Sequence, residues 1–181
     1  MELRLRRWTK GADIPESLLD LESSCFDEPP IVFPREELRR LTDEGLVHAY
    51  SAETPEGTVG FGFIIPSGGS AYVFLLGVDP ERRGCGYGRR ILGLLRDQYP
   101  DRSFILDCEE PVIDFYIQSG MRYTGYSNLF LGIRFFVMAF GEFDEKDYTD
   151  IMQVIMHHDD TIPMTRPDGT GYDIVWNPVN D

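Results

Sequence analysis

The stretch Val78-Asp79-Pro80-Glu81-Arg82-Arg83-Gly84-Cys85-Gly86-Tyr87-Gly88-Arg89-Arg90 is where residue types and spacing converge on one chemistry, the holding of an anion. It follows an apolar, strand-like run and precedes helically spaced leucines, so it falls at a strand-to-helix junction, where the first backbone N–H groups of a helix have no intrahelical acceptor. Glycines at 84, 86 and 88 remove the Cβ atoms that would keep a pyrophosphate away from those amides. Four of the 17 basic residues, Arg82, Arg83, Arg89 and Arg90, gather here in a chain of net charge −14. A dinucleotide fingerprint counted from Gly84 would need glycine at 89, and a Walker loop would need G-x-x-x-x-G-K-S/T; neither is present. The plain alternative is a glycine-rich turn with solvated arginines. A second cluster, His157-His158-Asp159-Asp160, has metal-ligand types, but adjacent residues on a helix point in different directions, so it reads as a solvated helix end and no metal is expected.

The spacing Arg83-x-x-Gly86-x-Gly88, preceded by Val78-x-Pro80, closely resembles the acetyl-CoA signature of the GNAT acyltransferase superfamily. The resemblance implies acetyl-CoA as acyl donor. Its pyrophosphate would be held by the backbone from Gly84 through Cys85, Gly86, Tyr87 and Gly88 to Arg89, with Arg83 beside it, and its pantetheine arm would pair with the backbone of Leu76, Gly77 and Val78. Cys85 is then a loop residue, because direct acyl transfer in this family needs no enzyme nucleophile. Downstream, Phe115-Tyr116-Ile117-Gln118-Ser119-Gly120-Met121 is similar to the family's F/L-Y-x-x-x-G-F segment and puts Tyr116 at the position that often protonates the departing CoA thiolate. A phenol of reference pKa ~10 facing a thiol of ~8.5 makes that transfer uphill by about 2 kcal/mol unless the site reshapes both values. The chain departs from the family at Glu109, where an asparagine commonly contacts the pantetheine, and at Val112, commonly alanine. Glu109 is a candidate general base for the acceptor amine, with Asp107 and Glu110 equally near in sequence.

These groups need elements to place them. Leu3, Leu5 and Trp8 predict an opening strand; Asp13 is placed to cap a helix with Ile14, Leu18, Leu21 and Cys25 on one face, and Pro34 to begin a second, stopped at Gly45. Residues 46–53 and 58–65 predict a hairpin turning at Pro55-Glu56-Gly57. The run from Ala71 to Val78 has almost no polar face and belongs at a sheet centre, where Gly77 implies a bulge or a closely approaching backbone. Ile91, Leu92, Leu94, Leu95 and Tyr99 predict a helix, Ser103 to Cys108 a buried strand, Pro111 to Ser119 a short helix, and 121–126 with 132–140 two more strands. Asp144 and Asp147 open a helix whose apolar face is Tyr148, Ile151, Met152 and Ile155. The remainder from Asp159 is not clearly regular and is expected to pair with the parent sheet or with a second subunit.

Composition narrows the partners. At 181 residues, 42% hydrophobic and 13% aromatic, the chain is sized for one folded domain, or for one domain with an appendage, and a single compact unit is expected. Thirty-one acidic residues against 17 basic ones exclude a general phosphate-backbone binder, so no nucleic acid is expected. No run reaches the ~20 apolar residues of a membrane span. The charged, alternating N-terminus has no export-signal character, and Cys25, Cys85 and Cys108 show no paired spacing, which points to the cytoplasm. The expectation is an α/β, GNAT-like domain over 1–141 with a mixed, mainly antiparallel sheet, flanking helices and splayed central strands, and a C-terminal helix and tail over 142–181. It would transfer acetyl from acetyl-CoA to the primary amine of a small molecule or protein N-terminus, acting as a possible homodimer. The acceptor would lie over the 26–33 loop and Tyr123, Tyr126 and Phe130, where Asp27 and Glu28 could meet a cation. Two readings of other classes stand beside it: a non-catalytic acyl-CoA-binding sensor, and an interaction protein whose loop binds only adventitious anions.

Overall fold

The computed structural model describes residues 2–11, 13–26 and 33–177. It has a mixed α/β fold with a mostly antiparallel arrangement of strands. Two compact units divide it: residues 1–66 with 73–100, and residues 67–72 with 101–181, so the expected boundary at 141 falls inside the second unit. Among the described residues no helix is long and apolar enough to cross a membrane.

The first unit contains β1 (Arg4–Trp8), α1 (Glu16–Cys25), α2 (Arg35–Asp43), β2 (His48–Thr54), β3 (Gly57–Ser67), the later part of β4 (Ser70–Val78) and α3 (Tyr87–Asp97). β1, β2 and β3 are antiparallel neighbours, with Leu5 opposite Ala52 and Ser51 opposite Phe61, and β4 follows β3 in the order. The predicted hairpin and second helix form as patterned. α1 starts at Glu16 rather than at a cap on Asp13, because Pro15 forces Ile14 out of helical geometry; Pro15 itself, extended at φ −65° and ψ 143°, is the N-cap, and Leu18 N–H reaches its carbonyl at 2.9 Å. Ile14 is buried all the same, ahead of the helix.

Two glycines on one face of β3 seat α3. A Cβ at Gly60 would lie 2.6 Å from Ile91 Cδ1, and one at Gly62 would lie 2.5 Å from Leu95 Cδ1. Ile91 and Leu95 are one helical turn apart and fully buried, each contributing roughly 1.5–3 kcal/mol of apolar burial. The same β3 glycine explains the one in β4: Gly77 carbonyl oxygen is 2.5 Å from the Cβ position of Gly60, and a Cβ on Gly77 would meet Phe61 Cζ at 2.3 Å and Cys25 Sγ at 3.0 Å. The close approach expected at Gly77 is therefore present, made by the β3 backbone and a ring behind it.

The second unit contains the first residues of β4, β5 (Ser103–Cys108), α4 (Ile113–Gln118), β6 (Arg122–Phe130), β7 (Ile133–Phe140), α5 (Glu145–Ile155), β8 (Thr161–Thr165) and β9 (Gly171–Val175). Its strand order is β5-β7-β6-β8-β9. β4 runs parallel to β5 only from Ser70 opposite Ser103 to Tyr72 opposite Ile105. β6 extends four residues past the predicted end, because a register shift between Tyr123 and Ser127, with Gly125 at φ 89° against Pro167, hides its alternation. The tail with no clear pattern folds as the β8–β9 hairpin, added to β6 at Ser127–Thr165 and Asn128–Met164. Its short strands, one of them interrupted by Pro163, carry too few alternating apolar positions to be seen without their neighbour.

Gly60→Ala should destabilise the fold by about 1–3 kcal/mol, because the new methyl meets a backbone oxygen as well as a side chain. Gly62→Ala should cost less, since only the flexible end of Leu95 must move. Denaturant unfolding of the two variants ranks them directly; the opposite order would mean that α3 does not rest on this glycine pair.

Candidate functional site

In the first unit, β4 delivers the chain to the anion-type loop. Asp79 caps a 3-10 turn over Pro80–Arg82, its carboxylate accepting from Glu81 N–H at 3.0 Å. Gly84 and Gly86 both adopt φ +78°, a region that costs a residue with a Cβ roughly 1–2 kcal/mol, and Gly86 is the N-cap of α3. A Cβ at either position would meet no atom within 4 Å, so the requirement for glycine is conformational and the space in front is open. Tyr87 is buried under the turn at 4% exposure, anchoring the helix start. No side chain caps α3, and its first turn carries no acidic residue. Among the described residues, the main-chain amides of Gly84, Cys85, Gly86, Gly88 and Arg89 donate to no protein acceptor, while Arg90 N–H makes the first helical bond, to Gly86 at 3.3 Å. The result is a run of free donors at a positive helix end.

The arginines of this loop have separate roles. Arg82 pairs with Glu56 at 3.1 Å. Arg83 ties the loop to its supports: Nε donates to Val78 carbonyl at 3.4 Å and a guanidinium N–H to Cys25 carbonyl at 3.1 Å. Val78 carbonyl also accepts from the Cys25 thiol at 3.3 Å, and burial pushes that thiol's pKa up, which keeps the donor proton in place. Arg83 thus shapes the loop, and exposed Arg89, which engages no protein group among the described residues, is the cation open to a phosphate. Cys85 is exposed. Within this unit β4 is the strand beyond β3, so Leu76 and Gly77 lie on an edge that can hydrogen-bond an extended chain. Val78 carbonyl is already engaged.

The second unit holds the titratable groups. Tyr116, on α4, takes no hydrogen bond from any described residue; burial, and then the neighbouring Cys108, raise its pKa above the ordinary phenol value. Cys108 is pushed up to about 12 by burial and by Asp107 and Glu109. Both groups are protonated at neutral pH. Glu109 is exposed and its carbonyl closes a 3-10 turn by accepting from Val112 N–H at 3.2 Å; Glu110, the first residue of that turn, is exposed as well.

Asp107 differs from both. Its carboxyl end is buried, and Oδ2 accepts from Tyr148 Oη at 2.5 Å and from Asn128 Nδ2 at 2.8 Å, while Asn128 Nδ2 also reaches Tyr148 Oη at 2.9 Å. Tyr72 faces the same carboxylate. Oδ1 is buried and has no hydrogen-bond partner among the described residues, a loss of about 1–3 kcal/mol if it stays unmet. Burial raises the pKa of Asp107 to about 6, against the lowering effect of Tyr148, Asn128 and Tyr72. The spacing of Asp107 from Tyr116 offered no reason to prefer it over Glu109 or Glu110; its partners lie 21 and 41 residues away. Tyr123 packs edge-on to Phe136, Tyr126 donates to Glu145 at 2.8 Å, and Phe130 ends β6. Asp27 and Glu28, with most of the expected acceptor loop, lie outside the described residues. Among the described residues no group of three or more His, Cys, Asp or Glu side chains could hold a metal ion.

The family model for the acetyltransferase (GNAT) family matches residues 15–121, more than half of the chain. The chain belongs to that family. No protein of curated function matches it by sequence. A GNAT-family protein from Bacteroides thetaiotaomicron is similar in structure at 24% identity and a TM-score of 0.60, covering 82% of this chain and 93% of that one. The ribosomal-protein-S18-alanine N-acetyltransferase of Escherichia coli aligns at 15% identity and a TM-score of 0.62, over 80% of this chain and 97% of its own. A Bacillus subtilis acetyltransferase in complex with CoA aligns at 13% identity and a TM-score of 0.59, over 78% and 100%. At these identities the likeness is one of fold. In this GNAT chain the family match ends at residue 121, ahead of Asn128 and Tyr148.

Burial makes Asp107 a source of pH-dependent stability. Its folded pKa of about 6 lies above the ordinary 3.8, so the stability it contributes is complete below about pH 4 and is lost as pH rises through about 6. A difference of about two units corresponds to on the order of 3 kcal/mol. Asp107→Asn should lack this slope, so its unfolding free energy should gain on wild type by that amount from about pH 4 to about pH 7. Parallel pH profiles for the two proteins would show that the carboxyl is not buried as described.

Proposed function

We propose that this GNAT chain is an acetyl-CoA-dependent N-acetyltransferase that acts on a primary amine by direct transfer in a ternary complex. The observation that carries the reading is the set of amides of Gly84, Cys85, Gly86, Gly88 and Arg89 at the start of α3, unengaged among the described residues, with glycines at φ +78° on either side of Cys85. Such a row is suited to a diphosphate, and family membership makes the CoA diphosphate the ligand of choice. The CoA named for one structural relative and the alanine N-acetyltransferase activity named for another are consistent with this donor and with an amine acceptor.

On this reading the pyrophosphate is held by the Gly84–Arg89 amides with Arg89, and the pantetheine arm extends the edge of β4 at Leu76 and Gly77. The neutral amine attacks the thioester carbonyl, the oxyanion is met by a backbone N–H near the end of β4, and the nitrogen, cationic once the C–N bond has formed, loses one proton to solvent. The C–S bond then breaks with its electron pair on sulfur, and Tyr116 gives its phenolic proton to the thiolate. A raised phenol pKa keeps that proton available but makes its release more uphill, so the gain must come from position: no protein group competes for the Tyr116 hydroxyl among the described residues. No covalent enzyme intermediate forms, in keeping with an exposed Cys85 that has no base beside it among the described residues.

Three measurements test this. CoA at 100 times its Kd should add about 2.7 kcal/mol to the unfolding free energy, and no thermal shift at saturating CoA would remove the loop assignment. Thiol release from acetyl-CoA across a panel of primary amines should identify an acceptor; tight CoA binding without turnover on any amine would identify a sensor instead. With that acceptor, Tyr116→Phe should lower kcat by 10- to 100-fold or more while leaving CoA affinity unchanged, and an unaltered kcat would take the tyrosine out of the mechanism.

A further inference from the structure

Asn128 and Tyr148 both donate to one carboxylate oxygen of Asp107, Oδ2, and hold the side chain rigidly, while Oδ1 is buried and unmet. A carboxylate fixed through one oxygen with the other free is arranged to accept a hydrogen bond from something that is not protein. Among the described residues, Tyr72 faces Asp107 from β4, Asn128 from β6 and Tyr148 from α5, with Cys108 at the end of β5 and Glu109 just beyond it, and no cation acts on Asp107. Tyr72 also senses the phenol of Tyr116, so the buried acid and the proposed proton donor flank one side chain. Tyr72 is, moreover, the last residue of β4 paired with β5, opposite Ile105.

We infer that Asp107 is the base that deprotonates the acceptor ammonium, through a water hydrogen-bonded to its Oδ1, and that Asn128 and Tyr148 are positioning residues supplied by the segment beyond residue 121. The inference rests on the transferase reading above. The ammonium gives one proton through the water to the carboxylate. The freed lone pair forms the C–N bond, a second proton leaves the nitrogen to solvent, the C–S bond breaks, and sulfur takes the Tyr116 proton. The carboxylic acid at Asp107 and the phenolate at Tyr116 are then reset by passing one proton from the former to the latter through solvent, so that each turnover releases one proton overall. An acid that titrates about a unit below neutral is charged at neutral pH and still basic enough to hold the proton it receives. Glu109, exposed and without partners that fix it, lacks this arrangement.

The test uses the full chain and three readouts. In protein carrying 13C-labelled aspartate, the Asp107 carboxyl should titrate near pH 6; titration at the ordinary aspartate value overturns the inference whatever the amine results. With acetyl-CoA and benzylamine, an ammonium at neutral pH, Asp107→Asn should lose at least ten-fold in rate together with the acid limb of the pH profile. With hydroxylamine, already neutral, it should stay within a few-fold of wild type, and equal losses on both probes would make Asp107 merely structural. Tyr148→Phe removes a bond that lowers the Asp107 pKa, so it should move the acid limb to higher pH without abolishing turnover, a readout that survives if Asp107→Asn folds poorly; an unmoved limb counts against the assignment. A Glu109→Gln variant that loses the limb while Asp107→Asn keeps it would place the base elsewhere. Wild-type protein that binds CoA but turns over neither these probes nor any amine of the panel would remove the transferase reading and the base with it, whereas active wild type with an indifferent Asp107→Asn removes the base alone.

Discussion

The approach of α3 to β3 depends on two missing side chains. Gly60 and Gly62 leave no Cβ between the strand and the helix, so Ile91 and Leu95 enter where methyl groups would otherwise stand, and Gly77 of β4 sits beside Gly60 under the same constraint. Packing at this density sets the height and rotation of the helix, and with them the point in space at which its first amides open. The loop from Asp79 to Gly86 then has only to cover a fixed gap, which it does with a 3-10 turn, an extended Arg83 and two glycines in the left-handed region. A loop that presents its backbone is no more accurate than the elements that carry it, and here those elements are locked by shape.

Electrostatics gives that geometry a purpose. A chain of net charge −14 repels a polyanionic nucleotide at long range, although physiological salt screens the repulsion beyond roughly 8 Å. At short range, on the function proposed here, amides at a helix start and the exposed Arg89 would supply what the overall field withholds. Most of the loop's cationic side chains are not free for the ligand. Arg82 is paired with Glu56, and Arg83 binds two carbonyls that hold the end of β4 to the end of α1. Arg83, a motif arginine by its spacing, is also a brace for the loop, holding Val78 and Cys25 through their carbonyls.

The second unit shows how a carboxylate is singled out. Asp107, Glu109 and Glu110 differ little in sequence context, yet one is buried among Tyr72, Asn128 and Tyr148 while the other two are solvated. The selection is made by strand order: β7 pairs with both β5 and β6, and α5 brings Tyr148 to the same carboxylate as Asn128. The C-terminal segment thereby shapes the chemistry of a residue that lies inside the family-matched region.

From the sequence alone came the element order through the helix that Asp144 caps, the buried strand before the loop, the glycine and arginine spacing, and the segment around Tyr116, because hydrophobic period, proline and glycine act over a few residues and leave local marks. The helix start at Glu16 slipped only because Pro15 overrides the cap its neighbour suggests. The tertiary structure decided what no local mark records: that Arg83 turns back onto Val78 and Cys25, that the tail adds a hairpin to β6, and that Asp107 alone is buried among partners 21 and 41 residues away. Burial and hydrogen bonding across strands depend on which surfaces meet, and a linear order of residues specifies that only through the packing of the whole chain.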